Sequence, residues 1–130
     1  MVTRDATDVF SEWALRNRDE GMENGHAESV NEMLNIAVKM VNKPFSAIDV
    51  GCGNGILINY LTQNYSSSFD RICGTDRSTT SLSFVKTEKV QADIDMLPFK
   101  DGEFDVVTCL EVIEHLPQQV YQKPLNEIQR

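Results

Sequence analysis

From residue 45 onward the apolar residues come in short runs: AIDV at 47–50, RICGT at 71–75, VQ at 90–91 and FDVVTCL at 104–110. Short runs that alternate with helical or polar stretches predict strands in βαβ units, not a helical bundle. After the first run, Ile56, Leu57, Tyr60 and Leu61 share one face of a helix expected over 54–64. The polar stretch STTSLSFVKTEK between the second and third strands has poor helical character and predicts a brief crossover helix or a loop. A last helix is expected from about Gln118 to the final residue, Arg130.

Before residue 45 the period is helical. Val9, Phe10, Trp13 and Ala14 share a face within 5–16, and Val30, Met33, Leu34, Ala37, Val38 and Val41 do so within 29–43. Ser29 and Glu32 have capping-box spacing at the start of the second helix, Lys39 and Lys43 lie near its end, and Pro44 stops it. Between the helices RDEGMENGH reads as a solvated loop. Residues 1–44 are therefore expected as a helical cap, hinged as a lid, ahead of an α/β unit over 45–130. Phe10 and Trp13 fit core packing or the lining of an acceptor pocket.

With 130 residues the chain suits one domain, and 41% apolar with 25% charged residues indicates a globular fold. A net charge of −8 argues against binding a nucleic-acid backbone, which needs clustered Lys and Arg. No stretch of about eighteen apolar residues and no basic, then apolar leader is present, so no membrane association and a cytoplasmic location are expected. Cys52, Cys73 and Cys109 are odd in number and far apart, with neither a CxxC pair nor a nearby His; reduced thiols and no metal are expected.

The chemistry-bearing pattern is AIDVGCGNGIL at 47–57. A strand that runs through Asp49 into Gly51, Gly53 and Gly55 and then into a helix makes a turn on which a ligand can rest against bare backbone. The dinucleotide fingerprint GxGxxG would need a glycine where Ile56 stands, which favours a nucleoside ligand without pyrophosphate. Asp76, at the tip of the second strand, fits either a turn cap or a carboxylate that accepts from both hydroxyls of a ribose. Asp93 and Ile94 follow the third strand and fit either a turn or an acceptor beside an apolar surface for an adenine ring.

On these residues the chain resembles the class I S-adenosylmethionine-dependent methyltransferases, especially the small-molecule branch that includes ubiquinone and menaquinone biosynthesis enzymes. AIDVGCGNGIL is similar to the family's first motif, GTDRS to its acidic second strand, and ADIDMLPFKDGEFDVVTCLEVIEHL to its third-to-fourth-strand region. The resemblance covers about residues 45–130. It implies a Rossmann-like parallel sheet with helices on both faces and strand order 3-2-1-4, ending before the family's strands 5–7. Strand 4 would then be a bare edge open to self-association.

The resemblance also implies S-adenosylmethionine as cofactor. Asp49, Gly51, Gly53 and Gly55 would surround its methionine part, with Cys52 and Asn54 lending backbone. Asp76 would hold the ribose, Arg77 would lie along the adenosine, Asp93 and Ile94 would hold adenine, and Glu111 would sit near the sulfonium. Acidic groups suit a cationic sulfur. The implied activity is methyl transfer to a small-molecule acceptor, in which positioning does most of the work. No catalytic residue is assigned: His115 fits a general base or a pocket-lining residue, and His26 reads the same way. The alternative is a non-catalytic module that binds the cofactor or a partner.

Overall fold

The computed structural model describes Glu12, residues 24–41 and residues 43–130. Helix α1 (Asn24–Val41) leads into strand β1 (Phe45–Val50), followed by α2 (Ile56–Asn64) and β2 (Phe69–Asp76). Next come α3 (Thr79–Leu82), β3 (Glu88–Gln91), β4 (Val106–Thr108) and α4 (Gln122–Gln129). The four strands form one parallel sheet, as the βαβ pattern predicted, in the order β3-β2-β1-β4 that the resemblance implied. The expected helix over 5–16 lies outside the described residues except for Glu12, which is helical.

Strand β1 is the central element, and its alternation divides the core. Phe45 packs with Val30 and Leu34 of α1 and Leu57 and Leu61 of α2, and meets Phe69 edge to face at 4.9 Å. Tyr60 donates to the Asn31 side chain at 2.9 Å, which fastens α2 to α1. On the opposite face Ile48, Val50 and Cys73 pack under Leu97, Ile94 and Phe99 of the segment between β3 and β4. Helix α4 is tied to that segment: the Glu127 carboxylate accepts from the Leu97 amide at 2.7 Å, and Arg130 reaches Asp101 at 2.9 Å.

Several boundaries differ from the sequence reading. Helix α1 begins at Asn24, so residues 24–28 are helical where a loop was expected, and Ser29 lies inside the helix without acting as its cap. Strand β1 starts earlier, at Phe45, because Phe45 and Ser46 already pair with β2. Helix α2 starts at Ile56 and not at Asn54: Gly53 and Gly55 have φ of +55° and +84°, left-handed values that no helix contains. Strand β4 covers only Val106–Thr108, fixed at its start where Asp105 Oδ2 accepts from the Ser46 amide at 3.0 Å.

The second crossover helix is one turn long. The Ser78 hydroxyl caps it by accepting from the Ser81 amide at 3.1 Å. The expected last helix is divided into a 3-10 turn over Gln118–Val120 and α4, whose Pro124 sits in the first turn, where its missing N–H costs nothing.

Candidate functional site

All four strands are parallel, so their carboxyl ends open on one edge, where α/β sheets bind ligands. A cavity of about 1070 Å³ lies there. Single-ligand sites run to roughly 1,000 Å³, so it can hold a nucleoside and a small second molecule.

The glycine loop forms one wall. Its path is fixed where the Cys52 amide donates to Thr75 O at 2.8 Å and the Gly55 amide to Cys52 O at 3.0 Å. A Cβ on Gly51 would stand 2.4 Å from Val112 Cγ2, so the backbone there touches the segment after β4 directly. A Cβ on Gly53 would meet nothing within 4 Å; this glycine faces open space. The Gly53 amide donates to Asp76 Oδ2 at 3.0 Å, and the other oxygen, Oδ1, accepts from the Ser78 amide at 2.8 Å. Asp76 is thus held at the loop by two backbone amides and lines the cavity.

Asp49 lies on the floor and is only 5% exposed. The register pairs it with Thr108 of β4, whose hydroxyl donates to Asp49 Oδ1 at 2.7 Å. Burial pushes its carboxyl up to about 7, the Thr108 bond opposes that rise, and the nearby Asp76 charge adds to it. Cys52 is pushed well above the usual thiol range by burial and then by Asp49 and Asp76, so it is a poor nucleophile. Burial also lifts Cys73 and Cys109 to about 11. All three are free thiols.

Asp49, Gly51, Cys52, Gly53, Asn54, Asp76, Arg77, Ile94 and Glu111 all line this cavity. Gly55 and Asp93 lie outside its wall. Gly55 precedes α2 and sits against Val85, where a Cβ would be 3.1 Å from Cγ2. Asp93 forms an ion pair with Arg77 Nε at 3.0 Å, with both side chains more than half exposed. Glu111 has φ of +53°, an uncommon conformation for a residue with a side chain and one that concentrates at functional sites. His115 also lines the cavity. Helix α1 adds Ser29, Val30 and Met33, which the sequence reading had assigned to capping and core. Phe10 and Trp13 fall outside the described residues, as do the side chain of His26 and most of the expected lid loop.

The methyltransferase domain family matches residues 48–130, which run from β1 through the glycine loop, the acidic strand tips and α4. The chain belongs to this family. Its strand order and glycine loop are those of the class I S-adenosylmethionine-dependent methyltransferases. An uncharacterized protein of Methanocaldococcus jannaschii is 36% identical over 107 residues, 79% of this chain and 44% of that protein. The ubiquinone biosynthesis O-methyltransferase of Pseudomonas paraeruginosa is 31% identical over 98 residues, 68% of this chain and 38% of that enzyme. The chain therefore spans less than half the length of these curated relatives.

Among solved structures, magnesium protoporphyrin IX methyltransferase from Synechocystis, with S-adenosylmethionine bound, shares the fold at a TM-score of 0.70. It is 19% identical, over 98% of this chain and 72% of that one. A chain in the complex between the Haloferax volcanii Trm112 methyltransferase activator and a methyltransferase also has a TM-score of 0.70. It is 24% identical, over 98% of this chain and 55% of that one.

Among the described residues of this methyltransferase domain, no cluster of three or more His, Cys, Asp or Glu could hold a metal. No described helix is long and apolar enough to cross a membrane.

Proposed function

We propose that this methyltransferase domain binds S-adenosylmethionine in the cavity at the carboxyl edge of the sheet and transfers its methyl group to a small-molecule acceptor. The observation that carries the reading is the Gly53–Asp76 junction: an amide with open space beside it, bonded to a carboxylate that two backbone N–H groups hold in place. A carboxylate fixed at that point keeps lone pairs for ribose hydroxyls.

In this reading Gly51, Gly53 and the backbone at Cys52 and Asn54 hold the methionine part, and Asp49 and Glu111 supply negative charge near the sulfonium. Ile94 offers an apolar surface to adenine. Asp93 serves the adenine amine only by sharing its carboxylate with Arg77. When bound, the cofactor supplies an electrophilic methyl group, so the protein's part is to exclude water and align the acceptor. Val30 and Met33 of α1, with Val112 and Leu116 opposite, give the rest of the cavity an apolar wall for that acceptor. Helix α1, from the segment before β1, acts as its cap.

A second reading, a non-catalytic module that binds the cofactor or a partner, is compatible with one comparison: a structural neighbour comes from a complex with a methyltransferase activator. Among the described residues strand β4 pairs with β1 alone, which offers an edge for a protein partner or a second copy. Calorimetric titration with S-adenosylmethionine and S-adenosylhomocysteine, followed by isotope-labelled methyl transfer to candidate phenols and carboxylic acids, tests both. Binding with transfer supports the enzyme, binding without transfer supports a cofactor-binding module, and no binding of either ligand refutes both of these and leaves the partner-binding module.

A further inference from the structure

Asp49 combines features that no other carboxylate among the described residues shares. It is buried at the floor of the ligand cavity and makes no ion pair with a described residue. Its recorded hydrogen-bond partner is the Thr108 hydroxyl, 2.7 Å from Oδ1, and that hydroxyl also lies 3.4 Å from Ile48 O. The arrangement satisfies either protonation state. When Asp49 is ionised, Thr108 donates to it; when Asp49 is protonated, its own O–H can donate to Thr108, which then turns to Ile48 O.

We propose that Asp49 is the residue by which the site distinguishes the cationic sulfonium form of the cofactor from the neutral thioether left after methyl transfer, by giving up or keeping a proton. The inference rests on the cofactor reading above. A carboxyl buried without a cation favours its neutral form, and a cation in the same cavity restores the ionised one. The proton passes to solvent as the sulfonium form binds and returns when the thioether replaces it. Thioether product would then meet a neutral floor, with no buried charge left unpaired.

The other titratable groups facing this floor do not supply the effect. Asp76 is fixed by two amides, and the Cys52 and Cys109 thiols are pushed up and stay neutral near pH 7. Arg77 is paired with Asp93. Glu111 and His115 line the same cavity from the segment after β4, and His115 is tested directly below.

With the free carboxyl near 7, about nine-tenths of the protein is protonated one pH unit below that value and about one-tenth is one unit above. Below 7 the sulfonium form must displace a proton; above 7 it need not. The affinity ratio of S-adenosylmethionine to S-adenosylhomocysteine should therefore rise about tenfold from pH 6 to pH 8. Near pH 7 binding of the former should release about half a proton and of the latter almost none.

The test is calorimetric titration of the chain with each ligand at pH 6, 7 and 8, in pairs of buffers with different ionisation heats. Asp49→Asn should bind both ligands with a ratio that no longer depends on pH, and His115→Gln should keep the wild-type dependence. Wild-type binding of both ligands at a constant ratio, with heats independent of buffer, overturns this inference alone and needs no variant. Loss of the dependence in His115→Gln overturns it too. No binding of either ligand at any pH removes the cofactor reading and this inference with it.

Discussion

Gly74 lies in β2 directly beneath the glycine loop, and replacing it with alanine tests the packing that places the site. The added methyl would stand 2.6 Å from Ile58 Cδ1, 2.8 Å from Cys52 Sγ and 3.4 Å from Cys52 Cβ. Carbon pairs prefer about 3.5–4.0 Å, so the approach to Ile58 is roughly 1 Å too close. Ile58 has little room to yield, being fully buried against Leu82, Val85 and Ile72; Cys52 belongs to the same cluster but also borders the cavity. Overpacking of this kind costs roughly 1–3 kcal/mol, and removing a glycine from a strand returns about 0.5–1 kcal/mol. A net loss of about 1–2 kcal/mol should lower Tm by about 5–10 °C for a chain of this size. Urea and thermal unfolding, followed by circular dichroism, measure this. Because the strain relaxes by pushing Cys52 and the start of α2 toward the cavity, cofactor affinity should fall as well. Gly53→Ala is the counterpart: its methyl enters open space, so it should weaken binding without that packing penalty, apart from about 1–2 kcal/mol for a left-handed alanine. A Gly74→Ala protein as stable as wild type would refute the close approach of α2 to β2 and the argument built on it.

Asp76→Ala leaves the Gly53 and Ser78 amides without their acceptor, and at about 1.5–3 kcal/mol for a hydrogen bond to a charged group it should weaken S-adenosylmethionine at least tenfold by calorimetry. Arg71 bonds Glu88 through two nitrogens and Glu103 through a third, and lies 4.6 Å from the centre of the Phe104 ring; Arg71→Lys should cost roughly 1 kcal/mol in urea unfolding because one ammonium cannot reproduce that fork. Asp49 makes the ligand-free protein less stable as pH rises. Its folded value of about 7 lies above the 3.8 of a free carboxyl, so its contribution is complete below 3.8, is lost as pH rises through 7, and is flat above. Relative to Asp49→Asn, wild type should lose about 3 kcal/mol between pH 5 and pH 8 in denaturant unfolding. The surface carboxylates Glu88, Glu103 and Glu127 are held low by Arg71 or Arg130 or by backbone amides, so they act in the opposite sense and lose their contribution as pH falls.

The sheet was legible because a parallel strand buried on both faces must be a short, nearly continuous apolar run, and 47–50 and 71–75 could be little else. Its ends were less legible, for local reasons. Phe45 and Ser46 read as flank, since a strand gains residues wherever a neighbour offers hydrogen bonds, and β2 begins at Phe69. At 104–110 the apolar run outlasts β4, because the chain leaves the sheet after Thr108 and Leu110 lines the cavity while still reading as strand. Ser29 and Glu32 had the spacing of a cap, but a cap is needed only where a helix begins, and α1 begins at Asn24. Gly74 carried a signal that went unused: a glycine inside an apolar strand marks a place where another element comes close.

For the site, the sequence located the strand tips, and the fold decides which side chains reach the space between them. Asp49 and Asp76 are 27 residues apart, yet the β1–β2 register puts Asp49 beside Gly74 and brings Asp76 to the loop that follows β1. No periodicity could show that Thr108, 59 residues on, supplies the hydroxyl for Asp49, because that pairing exists only when β4 lies beside β1. The same contact joins stability to ligand chemistry. A carboxylate that a cationic ligand needs must be placed where water is scarce, and scarcity of water makes it costly while the cavity lacks that cation. Thr108 lowers that cost without removing it, since a second donor would fix Asp49 in the ionised state and end its sensitivity to the ligand's charge. The floor of the cavity is therefore most useful to the chemistry where it contributes least to the fold.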